Sequence, residues 1–155
     1  MLELVRISSN APDPMLESIG RRIDILGLDL GGLEVVTEAA TGAYASTAVI
    51  AALAGAHVHA CARDTHAHGS AEEAIEATRL LARRAGVEAR ISFSLGVLPG
   101  ALRSCDILTN SGRIRPITRA MVDLLPDKAV IALMFEAWEF RGTDLDLAAC
   151  RERGI

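Results

Sequence analysis

The chain is poor in several things at once: one lysine, Lys128, and five aromatic residues in 155 positions. Its three cysteines, Cys61, Cys105 and Cys150, are too few and too scattered for a disulfide framework, which points to a reduced, cytoplasmic setting. No apolar run approaches the roughly 18 residues that a membrane span requires, and the N-terminus lacks the basic-then-apolar order of a secretion signal. Positive charge is also short. Sixteen basic against twenty acidic residues leave a net charge of -4 and a pI near 5.5. That balance argues against non-specific binding to nucleic acid or to anionic membranes. Half of the residues are hydrophobic and the mean hydropathy is +0.29, which excludes disorder. The length suits one domain burying roughly 70% of its unfolded surface.

From Leu33 onward, short apolar runs alternate with segments of helical period, as expected for a parallel sheet covered by helices. Strands are expected at 33–37, 57–62, 90–95, 106–109 and 129–134. Arg90, Ser92 and Ser94 alternate with Ile91, Phe93 and Leu95, a half-exposed pattern that marks the third strand as an edge. Ser70 and Glu73 have capping-box spacing, and Ala71, Ala74, Ile75, Thr78, Leu81, Ala82 and Ala85 follow as one apolar stripe that Gly86 ends. Pro116 opens a further helix closed by Pro126, and Gly142 and Thr143 precede a last helix of about ten residues. Residues 1–32 read as a docking helix and linker, with weak helical period over Met15 to Leu26. The Rossmann-like domain then occupies 33–155, either as a minimal domain or as one that continues past Ile155. The fold expected is a doubly wound parallel sheet, strand order 3-2-1-4-5, with helices on both faces.

In such a sheet, ligands bind beyond the carboxyl ends of the strands, where strand order reverses. After the first strand, Thr37-Glu38-Ala39-Ala40-Thr41-Gly42-Ala43-Tyr44 leads into a helix whose free amides suit a phosphate, with Gly42 allowing close backbone approach. The run from Thr37 through Gly42 to Gly55, then Cys61-Ala62-Arg63, resembles without gaps the cofactor-binding start of short-chain dehydrogenases, Thr-Gly-x-x-x-Gly-x-Gly. Glu38 and Tyr44 stand where that family has glycines. Asp106-Ile107-Leu108-Thr109-Asn110-Ser111-Gly112 is similar to the family's Asp-Ile-Leu-Val-Asn-Asn-Ala-Gly with one residue missing. Cofactor domains of hydroxyacid dehydrogenases look similar too.

The resemblance implies an NAD(P)-binding domain. NADP is the expected cofactor and NAD the second choice, because Arg63 follows the second strand where an NAD enzyme has an acid. The implied cofactor contacts are Thr37, Thr41, Gly42, Ala43, Tyr44, Arg63, Asp64, Thr65, Asn110, Ser111 and Gly112. Arg113 and Arg115 follow closely enough to hold a substrate carboxylate or phosphate. Three of the five aromatics fall in Phe135-Glu136-Ala137-Trp138-Glu139-Phe140-Arg141, either a pocket wall or an interface, and both uses require a buried Trp138. Glu136 and Glu139 join Arg113 and Arg115 as candidate catalytic groups. His57, His59 and Cys61 alternate on one strand, with His66 and His68 beyond; packing rather than metal binding is the expected use, and no metal site is assigned.

Three functions follow. The first is the NADP-binding part of an oxidoreductase whose substrate site is completed by another chain or segment, since the Tyr-x-x-x-Lys pair of short-chain dehydrogenases is absent. The second is a non-catalytic module that binds a small ligand or a protein. The third is a methyltransferase-like domain with Glu38 on S-adenosylmethionine. A small-molecule ligand and either a homo-oligomer or a partner domain are the expected partners.

Overall fold

Alanine is the commonest residue in the buried core, ahead of valine and leucine, and its small side chain lets helices lie close against a parallel sheet. The computed structural model describes residues 13–134 and 137–155. In chain order the elements are α1 (Pro14–Leu26), β1 (Glu34–Glu38), α2 (Ser46–Leu53), β2 (His57–Ala62), α3 (Ala71–Arg84), β3 (Ile91–Leu95), α4 (Pro99–Arg103), β4 (Ile107–Asn110), α5 (Arg119–Val122), β5 (Val130–Leu133) and α6 (Leu147–Arg153). The five strands are all parallel and ordered β3-β2-β1-β4-β5, so the order read from the alternation of apolar runs is the order found.

Side chains alternate across the sheet and feed two apolar layers. Val35, Val58, Ala60 and Ile91 pack with Ala48, Val49 and Ala52 of α2 and Ala74, Leu81 and Ala82 of α3. On the opposite face Val36, Cys61 and Leu108 pack with Leu102 of α4, Val122 of α5 and Ala149 and Cys150 of α6. Ser70 caps α3, its hydroxyl accepting from the Glu73 N–H at 3.3 Å. Glu72 and Glu73 in the first turn, with Arg83 and Arg84 in the last, complement the helix dipole.

Several sequence expectations shift in extent. The helix expected from Pro116 shrinks to Arg119–Val122, because Ile117 pairs as an isolated bridge with Leu145. The final helix is seven residues long rather than ten, since Asp146 caps it at the Ala149 N–H. The weak period over 15–26 does form α1, capped by Asp13 and ended by Gly27. No helix among the described residues is long and apolar enough to cross a membrane.

Candidate functional site

The chain runs outward from β1 through β2 to β3 and then returns to β4, so strand order reverses between β1 and β4. Connections leave this point in opposite directions, and the ends of the two strands border a cleft. Its volume is about 420 Å³, and its lining includes Glu38, Thr41, Tyr44, Thr47, His68, Ser111, Gly112, Arg113, Arg115, Met134 and Glu139.

Glu38, the last residue of β1, is 6% exposed. Its Oε2 accepts from the Arg113 main-chain N–H at 2.8 Å. On β4, Thr109 contacts Thr37 hydroxyl to hydroxyl at 2.8 Å, so Glu38 and Asn110, one residue further along each strand, share the opposite face. Cys61 pairs in register with Glu38. Burial, then the nearby Glu38 carboxylate, push the Cys61 thiol up to about 12, so this cysteine stays protonated. Asn110 is fully buried, and both polar atoms of its side chain lack a hydrogen-bond partner among the described residues.

One wall is a tight hairpin. Thr65 and Gly69 exchange main-chain hydrogen bonds of 3.2 and 3.0 Å, and the turn between them carries Ala67 and His68 to the cleft. Arg113 holds this hairpin to the loop after β4. Its guanidinium donates to the carbonyls of Arg63 at 2.6 Å, Gly69 at 3.3 Å and His68. Gly112 lies against the His68 ring so closely that a Cβ there would come within 2.9 Å of Nε2. The opposite side is set by Thr78 of α3, whose buried hydroxyl accepts from the Ala40 N–H at 2.9 Å and donates to the Ala40 carbonyl at 3.0 Å. Gly42, at φ 61°, then takes the left-handed step that starts the turn into α2.

The expected site residues are therefore divided. Thr41, Tyr44, Ser111, Gly112, Arg113, Arg115 and Glu139 meet around the cleft. Arg63, Asp64 and Thr65 border a separate, shallower depression of about 1010 Å³ beside the ends of β2 and β3. Thr37 and Asn110 are buried beneath the strand ends, and Gly42 and Ala43 are exposed on the turn before α2. Glu136 lies outside the described residues. Trp138 is 80% exposed in the single chain, so it is neither packed inside the chain nor part of the cleft wall.

The histidine expectation resolves into separate places. His59 bridges Ser92 and Ser94 on β3 at 3.0 and 2.8 Å, and desolvation holds its pKa below the usual imidazole value. His68 reaches the cleft. Sequence reading weighed His68 only as a metal ligand and placed Thr78 in an apolar stripe. A hydroxyl amid alanine and leucine on the buried face was the available sign that Thr78 had a polar partner.

Comparison with protein-family profiles and with curated proteins finds no match. Among solved structures the chain is similar to ligand-free aspartate transcarbamoylase from Trypanosoma cruzi, at 12% identity and a TM-score of 0.44, covering 84% of this chain and 43% of that one. The same enzyme in complex with carbamoyl aspartate and phosphate gives 11% identity and a TM-score of 0.46, covering 89% and 44%. The chain thus spans less than half the length of these structures.

These neighbours are transcarbamoylases and not NAD(P)-binding dehydrogenases, and the dehydrogenase resemblance is corrected together with the oxidoreductase function and the NADP or NAD cofactor it implied. The turn after β1 shows the physical reason. Two of its amides are spent, Ala39 N–H on the Cys61 carbonyl at 2.8 Å and Ala40 N–H on Thr78, while the Glu38 carboxylate lines the place a pyrophosphate would need. The Arg63 guanidinium is engaged within the chain: its Nε and Nη2 donate to the carbonyls of Arg113 and Arg115. Asp64 accepts from the Ala71 N–H at 2.8 Å and so serves the start of α3.

Proposed function

We propose that the chain binds a small polar molecule in the cleft between the ends of β1 and β4. The observation that carries this reading is convergence: polar side chains from five separate segments, Glu38, Thr41 with Thr47, His68, Ser111 and Glu139, line one concavity at the reversal of strand order. Arg113 supports the reading by fixing two of those segments against each other. Cys61 next to Glu38 is protonated and buried, so it takes no nucleophilic part.

The test is a panel of polar metabolites followed by amide-resolved NMR on the intact chain. A true ligand perturbs Glu38, Thr41 and Ser111 to Arg113 together and raises thermal stability, by about 2.7 kcal/mol at a hundredfold excess over Kd. Perturbation confined to Arg63, Asp64, Thr65 and Gly96 would move the site to the neighbouring depression and overturn the proposal.

A further inference from the structure

Glu38 combines three properties that seldom occur together: it is 6% exposed, it lines a cleft, and it has no ion-pair partner among the described residues. A buried carboxylate normally sits beside a cation, because its desolvation is costly unless charge and hydrogen bonds compensate it. Here the neighbouring cations are turned elsewhere. The Arg113 guanidinium goes to the carbonyls of residues 63, 68 and 69, that of Arg63 goes to the carbonyls of residues 113 and 115, and Arg115 pairs with Asp144 at 3.2 Å. Among the described residues only the Arg113 main-chain N–H binds the carboxylate, at Oε2. No hydrogen bond to Oε1 is formed by a described residue.

Asn110 is an independent second observation. It is fully buried on the Glu38 face of the sheet, and its carbonyl oxygen and amide nitrogen both lack partners among the described residues. Most buried side-chain amides are hydrogen-bonded, and leaving one unpaired costs roughly 1–3 kcal/mol. On this face Glu38 offers the open acceptor Oε1, and Asn110 adds one acceptor, Oδ1, and the N–H donors of its amide.

We infer that the cleft selects a ligand carrying a cationic nitrogen with several N–H donors, a primary ammonium or a guanidinium, which seats against the Glu38 carboxylate where it lines the cleft. This deepens the small-molecule reading above and rests on it. A carboxylate or phosphate head is disfavoured at this position by the Glu38 charge, and a hydroxyl donates only one hydrogen.

The experiment uses three probes of one shape, butylammonium, butanol and butyrate, titrated into the intact chain at matched ionic strength and read by amide NMR into the millimolar range. Butylammonium alone, or most strongly, is expected to shift Glu38, Asn110 and Ser111 to Arg113. Glu38→Gln keeps an acceptor for the Arg113 N–H and should weaken that response about tenfold or more. A stronger response to butyrate or butanol overturns the cationic-ligand inference and leaves the cleft as a site. Silence from all three at these residues overturns it as well, and the metabolite panel then decides the binding reading separately. The wild-type comparison stands alone should Glu38→Gln fail to fold.

Discussion

Arg63 and Arg113 hold each other's main chain: the Nε of Arg63 donates to the Arg113 carbonyl at 2.9 Å, and Nη1 of Arg113 donates to the Arg63 carbonyl at 2.6 Å. The exchange ties the end of β2 to the loop after β4 across the strand that separates them, β1. The two side chains differ in burial, since Arg113 is 2% exposed and Arg63 lies at the surface. Arg113→Ala should therefore cost about 3 kcal/mol, as it strands three carbonyls, whereas Arg63→Ala should cost less than about 1 kcal/mol. Denaturant unfolding of both single variants and the double variant measures the difference and the coupling. Equal losses would show that the fork geometry of Arg113 is not what holds the hairpin.

Thr78 acts toward Ala40 as a neighbouring peptide group would, accepting from its N–H and donating to its carbonyl. Thr78→Val preserves shape and removes both bonds, so a loss of about 2 kcal/mol is expected, with Thr78→Ser recovering most of it. Amide exchange at Ala40 should accelerate in the valine variant. Unchanged exchange would place the stability loss elsewhere.

Gly112→Ala brings a methyl group to within 2.9 Å of the His68 Nε2. Because the His68 side chain belongs to an exposed residue, it swings aside, and the change should cost less than about 1 kcal/mol in stability. The same displacement alters the cleft wall. The expected outcome is a moved His68 imidazole resonance and a changed ligand affinity with little change in unfolding midpoint.

Cys61 and Cys105 are both buried, and burial is the largest cause raising their thiols to about 12 and about 11. Raised folded-state values mean that protonated thiols are compatible with the fold and thiolates are not. Their contribution to stability is thus complete below the unfolded value near 9 and is lost as pH rises toward 11 to 12. Pulse alkylation at mildly alkaline pH should leave both unmodified until the chain unfolds. Rapid labelling of either one in the folded chain would contradict this.

Much of the layout was legible in the sequence because it rests on local periodicity. His57 to Ala62 alternates and is bounded by Gly55 and by the polar 63–65 turn, and the strand forms over those same residues. Ser92 and Ser94 announced an edge, and β3 is one. The cleft was less legible. Ser111 and Gly112 were reached through a family resemblance at the end of the fourth strand, and Glu38 was noticed chiefly as an intruder in a glycine pattern. Its position at the cleft floor depends on Arg113, which is seventy-five residues away in the chain.

The sequence alone determines the alternation of strands and helices, the edge position of β3 and the shortage of cationic surface, since each is carried by neighbours within one element or by composition. Only the tertiary structure decides what the charged residues do. Arg63 and Arg113 look like anion ligands when read along the chain, yet their guanidinium groups are consumed by carbonyls that the fold delivers from fifty residues away. Trp138 reads along the chain as a pocket-wall or interface residue, and in the single chain it is exposed and outside the cleft wall. Hydrogen-bond partners are set by which loops the sheet brings together, and that juxtaposition is a property of strand order and register rather than of local spacing.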